Sequence, residues 1–173
     1  MRWIWIDRIL ELEREQRCVA VKNVSLAEDV LHDHFAATDS HDAQPVMPNT
    51  LIVEGFAQTA GILVGHAGDF AEKVILAKIS RARFSDVARP GDRLRYEAII
   101  ERLDESGAAT EGTVTIDRPG ETESRPLAEI SMMFSHVDHN RAGTEFPKEN
   151  FVFTDQFMGL LERSGFGPES ASA

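Results

Sequence analysis

The sequence predicts an α+β fold in which one long helix packs against an antiparallel sheet of about six strands. The segment 51–65, LIVEGFAQTAGILVG, is apolar on nearly all sides, which is typical of a helix enclosed by other structure. Two segments rich in β-branched and aromatic residues precede this helix and four follow it, with turn residues between them. The 173 residues lie within the usual size of one domain. The helix and the strands are therefore expected to share one core.

The elements before the helix are a pair of strands and a long loop. Residues 3–12 and 17–25 have the composition of strands, and the polar EREQ turn between them predicts a hairpin. Cys18 is the only cysteine, and its alternating surroundings indicate a packed strand residue and not a nucleophile. Residues 26–48 show no period and include two prolines at their end, which predicts a loop. Loops of this length inside a compact domain are usually functional.

The long helix is expected to begin at Asn49 or Thr50, either of which can cap it, and to run to about Gly65. The turn at 90–92, Pro-Gly-Asp, separates the first two of the strands that follow. Those four strands are predicted at 73–85, 92–103, 108–117 and 125–137.

The sequence divides into a folded domain at 1–138 and an extension at 139–173, for which we expect a short amphipathic helix and a disordered end. The longest apolar runs are too short to span a bilayer. The N-terminus lacks the long apolar region and the small-residue cleavage site of a signal peptide. A cytoplasmic location is the default expectation.

The charge distribution is uneven. A net charge of −11 argues against nucleic acid as the main partner. The stretch 73–95 nevertheless holds seven basic residues against two acidic ones. This basic stretch is either a solvated strand face or a docking surface for an anionic carrier or a phosphate-bearing ligand. The candidate docking residues are Arg81, Arg83 and Arg89.

Glu54 is the one charged residue inside the apolar helix. It lies four residues after Thr50 and four before Gln58, so the three side chains share one stripe of the helix. A carboxyl group among apolar neighbours such as Leu51 and Phe56 resists ionisation and can act as a general acid. The alternative is a structural glutamate paired with a basic side chain.

Three histidines in the loop before the helix, His32, His34 and His41, are candidates for a general base, because a neutral imidazole can accept a proton near neutral pH. A metal site is the alternative, since these histidines alternate with aspartates and the segment 136–139 adds further possible ligands. The spacing fits no specific zinc or facial-triad signature. The aspartates concerned are Asp33, Asp39 and Asp42.

Four segments resemble one enzyme family: NVSLAEDVLHDHF, PVMPNTLIVEGFAQTAGILV, AKISRARF and RPGDRL. They are similar to the β-hydroxyacyl-acyl-carrier-protein dehydratases of bacterial type II fatty-acid synthesis, and the resemblance runs from about Trp5 to Val137. It implies the hotdog fold, in which a curved antiparallel sheet wraps a long helix. It also implies a homodimer, or a larger oligomer built from dimers, with two active sites at the subunit interface.

The resemblance assigns roles to particular residues. The family's catalytic His-Phe pair corresponds to His34 and Phe35. The family's acidic residue lies six positions after the proline of Met-Pro, which is Glu54 in this chain. Gln58 corresponds to a helix glutamine that orients the acid or the substrate. Substrate contacts are also expected at Pro48, Asn49 and Thr50.

The chain departs from the family pattern around the histidine. Asp33 replaces the family's glycine and Ala36 its proline, and six extra residues lie between His34 and Pro45. Asn49 stands where the family usually has glycine, at a position whose backbone N–H helps hold the thioester oxygen. Asparagine keeps that N–H and suits a helix start.

The resemblance implies removal of water from a 3-hydroxyacyl thioester, carried by acyl-carrier protein or coenzyme A, to give the trans-2-enoyl product. His34 would take the proton at C2, and Glu54 would protonate the departing C3 hydroxyl. The positive end of the helix would stabilise the enolate-like oxygen. Such a reaction requires no metal or redox cofactor. The alternatives are a hotdog acyl-thioesterase and a non-catalytic acyl-binding protein.

Overall fold

The computed structural model describes residues 3–137 and 150–167. All six predicted strands and the long helix are present. In chain order the elements are β1 (Arg8–Glu13), β2 (Arg17–Asn23), α1 (Asp29–Asp33), α2 (Asn49–Ala67), β3 (Val74–Phe84), β4 (Arg93–Asp104), β5 (Gly107–Asp117), β6 (Arg125–His136) and α3 (Asp155–Ser164).

The six strands form one sheet in the order β1-β2-β4-β5-β6-β3, and every neighbouring pair is antiparallel. Helix α2 packs on this sheet, with contacts to five of the six strands, β2 to β6. Eleven residues of α2 are buried, because the helix is apolar on nearly all sides and the sheet supplies its partners. This is the arrangement that the resemblance implies.

The N-terminal strand is shorter than predicted. Residues 3–7 lie outside β1, which begins at Arg8. The Asp7 amide still bonds the Val21 carbonyl on β2, at 2.7 Å. The two tryptophans contact the helix instead, because Gln58 on α2 bonds the backbone of both Trp3 and Trp5. For these two residues a side-chain amide on the helix takes the place of strand pairing.

The loop predicted at 26–48 contains a short helix, α1, so the prediction of an irregular loop throughout is wrong. Leu31 in α1 is 2% exposed and belongs to the core, which gives this turn of helix a packing partner that its sequence period does not reveal. Elsewhere in the segment, Thr38 and His41 form an isolated β-bridge.

The start of α2 also differs from the prediction. The N-cap position is occupied by Pro48, without a side-chain capping hydrogen bond, so Asn49 and Thr50 lie inside the first turn. The Pro48 carbonyl accepts bonds from the amides of Leu51 and Ile52. Proline serves here because its backbone angles bring its own carbonyl over that turn, and the capping role predicted for Asn49 or Thr50 is wrong.

Cys18 is 0% exposed within β2, as predicted for a packed strand residue. Burial raises the pKa of its thiol to about 12, so it stays protonated and unreactive at neutral pH. Among the described helices, none is both long enough and apolar enough to cross a bilayer.

Helix α3 confirms the short helix predicted in the C-terminal extension. Leu160 and Leu161 belong to the same core cluster as α2, and the Ile9 amide on the edge strand β1 donates to the Ser164 hydroxyl at 3.1 Å. The described part of the extension thus packs on the sheet. The predicted disordered end lies outside the described residues, and the domain boundary near 138 stays a prediction.

Candidate active site

Gln58 fixes the carboxyl group of Glu54 one turn away on the same face of α2. Its Nε2 donates to Glu54 Oε1 at 2.9 Å and to the Trp3 carbonyl at 3.1 Å. Its Oε1 accepts the Trp5 amide at 2.8 Å. Gln58 is only 8% exposed. Because its Oε1 accepts one bond and its Nε2 donates two, the amide has a single orientation and presents an N–H to the carboxyl.

The carboxyl group of Glu54 is half-buried and has neutral partners. Trp3 Nε1 donates to the same oxygen, Oε1, at 3.1 Å. Both described hydrogen-bond donors to Glu54 are therefore uncharged. They give no support, within the described residues, to the alternative of a glutamate paired with a basic side chain. Because Oε1 accepts both bonds, Oε2 is the oxygen left to exchange a proton with a ligand.

A cavity of about 190 Å³ opens beside Glu54. One wall is a stripe of α2 in which residues recur at helical spacing, from Glu54 through Gly61 to Ile62. Strands β3 and β6 add apolar side chains, and the C-terminal extension closes the remaining side. Apart from Glu54 and Gln58 the lining is apolar: Ala57, Gly61, Ile62, Val74, Leu76, Phe134, Val152, Phe153 and Phe157.

The backbone of α2 lies close to the sheet just after the glutamate. A Cβ atom added at Gly55 would lie 2.6 Å from the Tyr96 hydroxyl and 2.9 Å from the Trp5 carbonyl, so glycine is required for this approach. Burial raises the pKa of Tyr96, and the nearby charges of Asp7 and Glu28 act in the same direction. The phenol therefore stays neutral and serves as packing beside the site.

His34 is held by the backbone just before α2. Its Nδ1 lies 2.8 Å from the Val46 carbonyl oxygen, and its ring stacks on Phe35 at a centroid distance of 4.3 Å. A carbonyl oxygen can only accept a hydrogen bond, so Nδ1 carries the proton in the neutral ring. Nε2 then has a free lone pair and can act as a base.

The six-residue insertion after His34 folds outward without separating His34 from the helix. Phe35 and Gln44 exchange two backbone bonds, of 2.8 and 2.9 Å, which close the base of the insertion. The Thr38 amide donates to the His41 carbonyl nearer its tip, at 3.0 Å. The extra residues form a small hairpin, and the Val46 amide still bonds the His34 carbonyl at 2.9 Å.

The other two histidines lie in different surroundings. His32 is exposed, with Nε2 2.9 Å from the Leu26 carbonyl, and His41 is exposed at the insertion tip. Within residues 3–137 and 150–167, no three His, Cys, Asp or Glu side chains come together in a way that could hold a metal ion. Two of the possible ligands considered in 136–139, Asp138 and His139, lie outside that part of the chain.

The structure brings Glu54 and Gln58 together but does not join His34 to them. The described hydrogen bonds of His34 and of Glu54 share no residue, and His34 is not among the residues that line the cavity. Phe35, Asn49 and Thr50 are all exposed. The cavity of one chain therefore includes Glu54 and Gln58 without His34.

The basic stretch at 73–95 is not one surface. Lys73 is only 6% exposed, and Arg95 is half-buried and donates to Glu11 at 3.2 Å. The three candidate docking residues are exposed, and the Arg81 guanidinium lies 3.7 Å from the Glu129 carboxylate. A docking surface, if present, is confined to the exposed members of the stretch.

Sequence reasoning missed the aromatic residues that bond Glu54 and Gln58 or line the cavity. The sequence predicts a strand at Trp3 and Trp5, because their alternation with isoleucine fits strand periodicity. Phe153 and Phe157 lie more than ninety positions after Glu54, and nothing local connects them to it. The density of aromatic residues at both ends of the chain was the available signal.

The chain resembles known proteins in both sequence and fold. The sequence model of the FabA-like domain matches residues 3–121. The 3-hydroxyacyl-acyl-carrier-protein dehydratase FabZ of Caldanaerobacter subterraneus is 40% identical over 102 residues, which cover 58% of this chain and 68% of that protein. The FabZ of Thermomicrobium roseum is 34% identical and covers 82% and 88%. The dehydratase heterocomplex ApeI:P from Xenorhabdus doucetiae has a similar fold, with a TM-score of 0.57, 16% identity and coverage of 78% and 83%.

Proposed function

This chain belongs to the FabA-like family, and from that premise we propose that it is a 3-hydroxyacyl-acyl-carrier-protein dehydratase of fatty-acid or related lipid biosynthesis. The reaction removes water from a 3-hydroxyacyl thioester and leaves a trans double bond between C2 and C3. The observation that carries the proposal is the carboxyl group of Glu54, oriented by Gln58 and Trp3 at the side of an apolar cavity. A 3-hydroxyacyl chain needs such an acid beside an apolar channel.

In this mechanism His34 is the general base. With Nδ1–H donated to the Val46 carbonyl at 2.8 Å, Nε2 takes the proton from C2 of the substrate. The same bond persists in the imidazolium that forms, because Nδ1 keeps its proton throughout. The stacked Phe35 ring restricts rotation of the imidazole. The histidine is thus held in the tautomer that the reaction requires.

Glu54 is the general acid. Its Oε1 accepts bonds from Trp3 and Gln58, so Oε2 carries the proton and donates it to the departing C3 hydroxyl. Water leaves as the C2 electron pair forms the double bond. Both donors to Oε1 also stabilise the carboxylate left behind. His34 gains one proton and Glu54 loses another. Before the next turnover His34 must release its proton and Glu54 must regain one.

The start of α2 stabilises the thioester oxygen. The amides of Leu51 and Ile52 are bonded to the Pro48 carbonyl, which leaves the amides of Asn49 and Thr50 at the exposed end of the helix. These N–H groups and the positive end of the helix dipole favour negative charge on the oxygen as C2 loses its proton. Pro48 shapes this end of the helix.

We further propose a homodimer in which each active site combines His34 of one chain with Glu54 of the partner subunit. Strand β3 lies at an edge of the sheet, and its Leu76 and Ile79 side chains are 39% and 47% exposed. An exposed edge with apolar side chains favours pairing with a second copy. Such pairing supplies the missing half of each site. Higher oligomers would be built from this dimer.

The proposed carrier of the substrate is acyl-carrier protein, with a coenzyme A thioester as the alternative, and the proposed location is the cytoplasm. Exposed Arg81, Arg83 and Arg89 are the candidate contacts for an anionic carrier. The substitution Arg89→Glu should raise the KM for carrier-bound substrate several-fold and hardly affect an acyl-pantetheine lacking phosphate. Arg102→Glu, at a side chain 68% exposed on β4, is the matched control. An equal rise in KM for both substrates would exclude a docking role for Arg89.

The experiment that tests the function follows enoyl-thioester absorbance and thiol release side by side, with 3-hydroxyacyl and saturated acyl thioesters. We expect dehydration of the 3-hydroxyacyl substrate, reversible on addition of the enoyl product, and little hydrolysis. Hydrolysis without dehydration would make the protein a thioesterase. Binding of acyl thioesters without either reaction would make it a non-catalytic acyl-binding protein.

A further inference from the structure

The C-terminal extension supplies one wall of the cavity beside Glu54. Three of the eleven lining residues, Val152, Phe153 and Phe157, come from it, although it lies beyond the residues that match the FabA-like domain. We propose that the segment 150–157, called here the aromatic wall, closes the inner end of the acyl-chain cavity and limits the length of acyl chain that the enzyme accepts. This inference rests on the proposed function.

The position of the wall along α2 indicates which end it closes. Phe153 packs over Gly65, eleven residues after Glu54, or about 16 Å along the helix axis at the usual rise per residue. The lining residues Ala57 and Ile62 lie between these points. An acyl chain whose C3 lies beside Glu54 would therefore run along α2 toward the Phe153 ring.

The Phe153 ring packs directly on the helix backbone at Gly65, where there is no side chain. A Cβ atom added at Gly65 would lie 2.2 Å from Phe153 Cζ, so any other residue there would displace the ring. Phe70 packs edge-on against the same ring, at a centroid distance of 5.0 Å. The ring is held by contacts on two sides, and this is the geometry of a fixed wall.

Both ends of the aromatic wall are anchored. The Asn150 Nδ2 group donates to the carbonyls of Phe70 and Glu72, at 3.2 and 3.4 Å. Its Oδ1 accepts the amides of Val152 and Phe153, at 3.0 and 3.2 Å. On the other side α3 inserts its leucines into the core. Displacing the wall would break these contacts, so a chain too long for the cavity meets resistance.

The predicted consequence is a preference for acyl chains that end before Phe153. A hydrophobic pocket discriminates by about tenfold or more for a methylene that it cannot accommodate. Shortening either ring of the wall lengthens the cavity and should extend the range of accepted substrates. Shorter substrates do not reach the wall and should be unaffected.

The test uses Phe153→Ala and Phe157→Ala with 3-hydroxyacyl thioesters of four to about sixteen carbons. We expect kcat/KM for the long substrates to rise at least about tenfold relative to the short ones. Phe151→Ala is the matched control, because Phe151 lies in the same segment but is 44% exposed and does not line the cavity. Chain-length profiles equal to wild type in both folded variants would overturn the proposal. Phe153→Leu, which keeps more of the packing, replaces Phe153→Ala if that variant does not fold.

A variant that fills the cavity distinguishes two outcomes: that the aromatic wall does not limit chain length, and that the proposed function is wrong. Gly61→Leu places a side chain in the cavity midway along α2. It should shift the dependence of kcat/KM on acyl-chain length toward shorter substrates. If Gly61→Leu shifts the profile and the wall variants do not, the cavity holds the acyl chain and the wall does not limit it. If wild type dehydrates nothing, the proposed function fails. Calorimetry then measures how the affinity of the same variants for acyl-pantetheines depends on chain length. This shows whether the aromatic wall limits chain length even if the protein is not a dehydratase.

Discussion

Among the described hydrogen bonds, His34 and Glu54 each leave one polar atom unused, because neighbouring groups occupy the other. The Val46 carbonyl fixes Nδ1 of the histidine, and Gln58 with Trp3 occupies Oε1 of the glutamate. The free atoms, Nε2 and Oε2, are the ones that exchange protons in the proposed reaction. Misplacing reacting atoms by about 1 Å can cost roughly a hundredfold in rate, so these neighbouring groups matter to the proposed reaction.

We predict that His34→Ala lowers kcat/KM for dehydration by at least about a hundredfold, because it removes the base. His41→Ala is the control, since His41 lies at the exposed tip of the insertion and should leave activity near wild type. Steady-state rates and circular dichroism of both variants make the comparison. Inactive His41→Ala with active His34→Ala would show that the insertion was placed wrongly in the comparison with the family.

Gln58→Leu should reduce both activity and stability. It leaves the Trp5 amide without its acceptor, which costs about 1–3 kcal/mol, and it frees the Glu54 carboxyl to rotate, which should lower kcat about tenfold or more. Thr59→Val is the matched control, because it removes a buried bond to the Gly55 carbonyl on the same helix. Urea denaturation and kinetics should show lower stability in both variants and loss of activity only in Gln58→Leu. Full activity in Gln58→Leu would exclude the orienting role.

At the scale of single elements, helix α2 both packs on the sheet and lines the cavity of the candidate site. Its apolar sides are buried by the sheet, and one stripe, from Glu54 to Ile62, faces the cavity. The sequence predicted this helix because an apolar segment with one charge is a strong local signal. It could not predict α1, whose five residues depend on the burial of Leu31, nor the hairpin of the insertion, which depends on pairing between Phe35 and Gln44.

Two glycines of α2 offer a test of how closely the helix approaches the sheet. We predict that Gly55→Ala destabilises the protein by about 1–3 kcal/mol, because the added Cβ would overlap Tyr96 and Trp5. Gly61→Ala should be neutral or stabilising by about 0.5–1 kcal/mol, since its Cβ would meet Phe134 at 3.6 Å, an ordinary contact. Thermal and urea unfolding measure both changes. A Gly55→Ala variant as stable as wild type would contradict the close packing.

For the whole molecule, sequence reasoning predicted the sheet and the central helix, while the roles of the site residues stay predictions. Local patterns carry that information, because strands and helices differ in hydrophobic period and the site residues lie in short motifs. The cavity could not be predicted, since Phe153 reaches Gly65 across 88 positions of the chain. We propose that a second copy of the chain brings its His34 to Glu54, and this pairing cannot be read from local patterns either.

In the proposed dimer, His34 of one chain and Glu54 of the partner subunit act on the same 3-hydroxyacyl thioester. The most direct test mixes two inactive variants, His34→Ala and Glu54→Gln, and allows the subunits to exchange. Half of the dimers would then be mixed, each with one intact site, so dehydration should recover to about one quarter of the wild-type rate. No recovery, with mixed dimers demonstrated by mass spectrometry, would contradict the shared site.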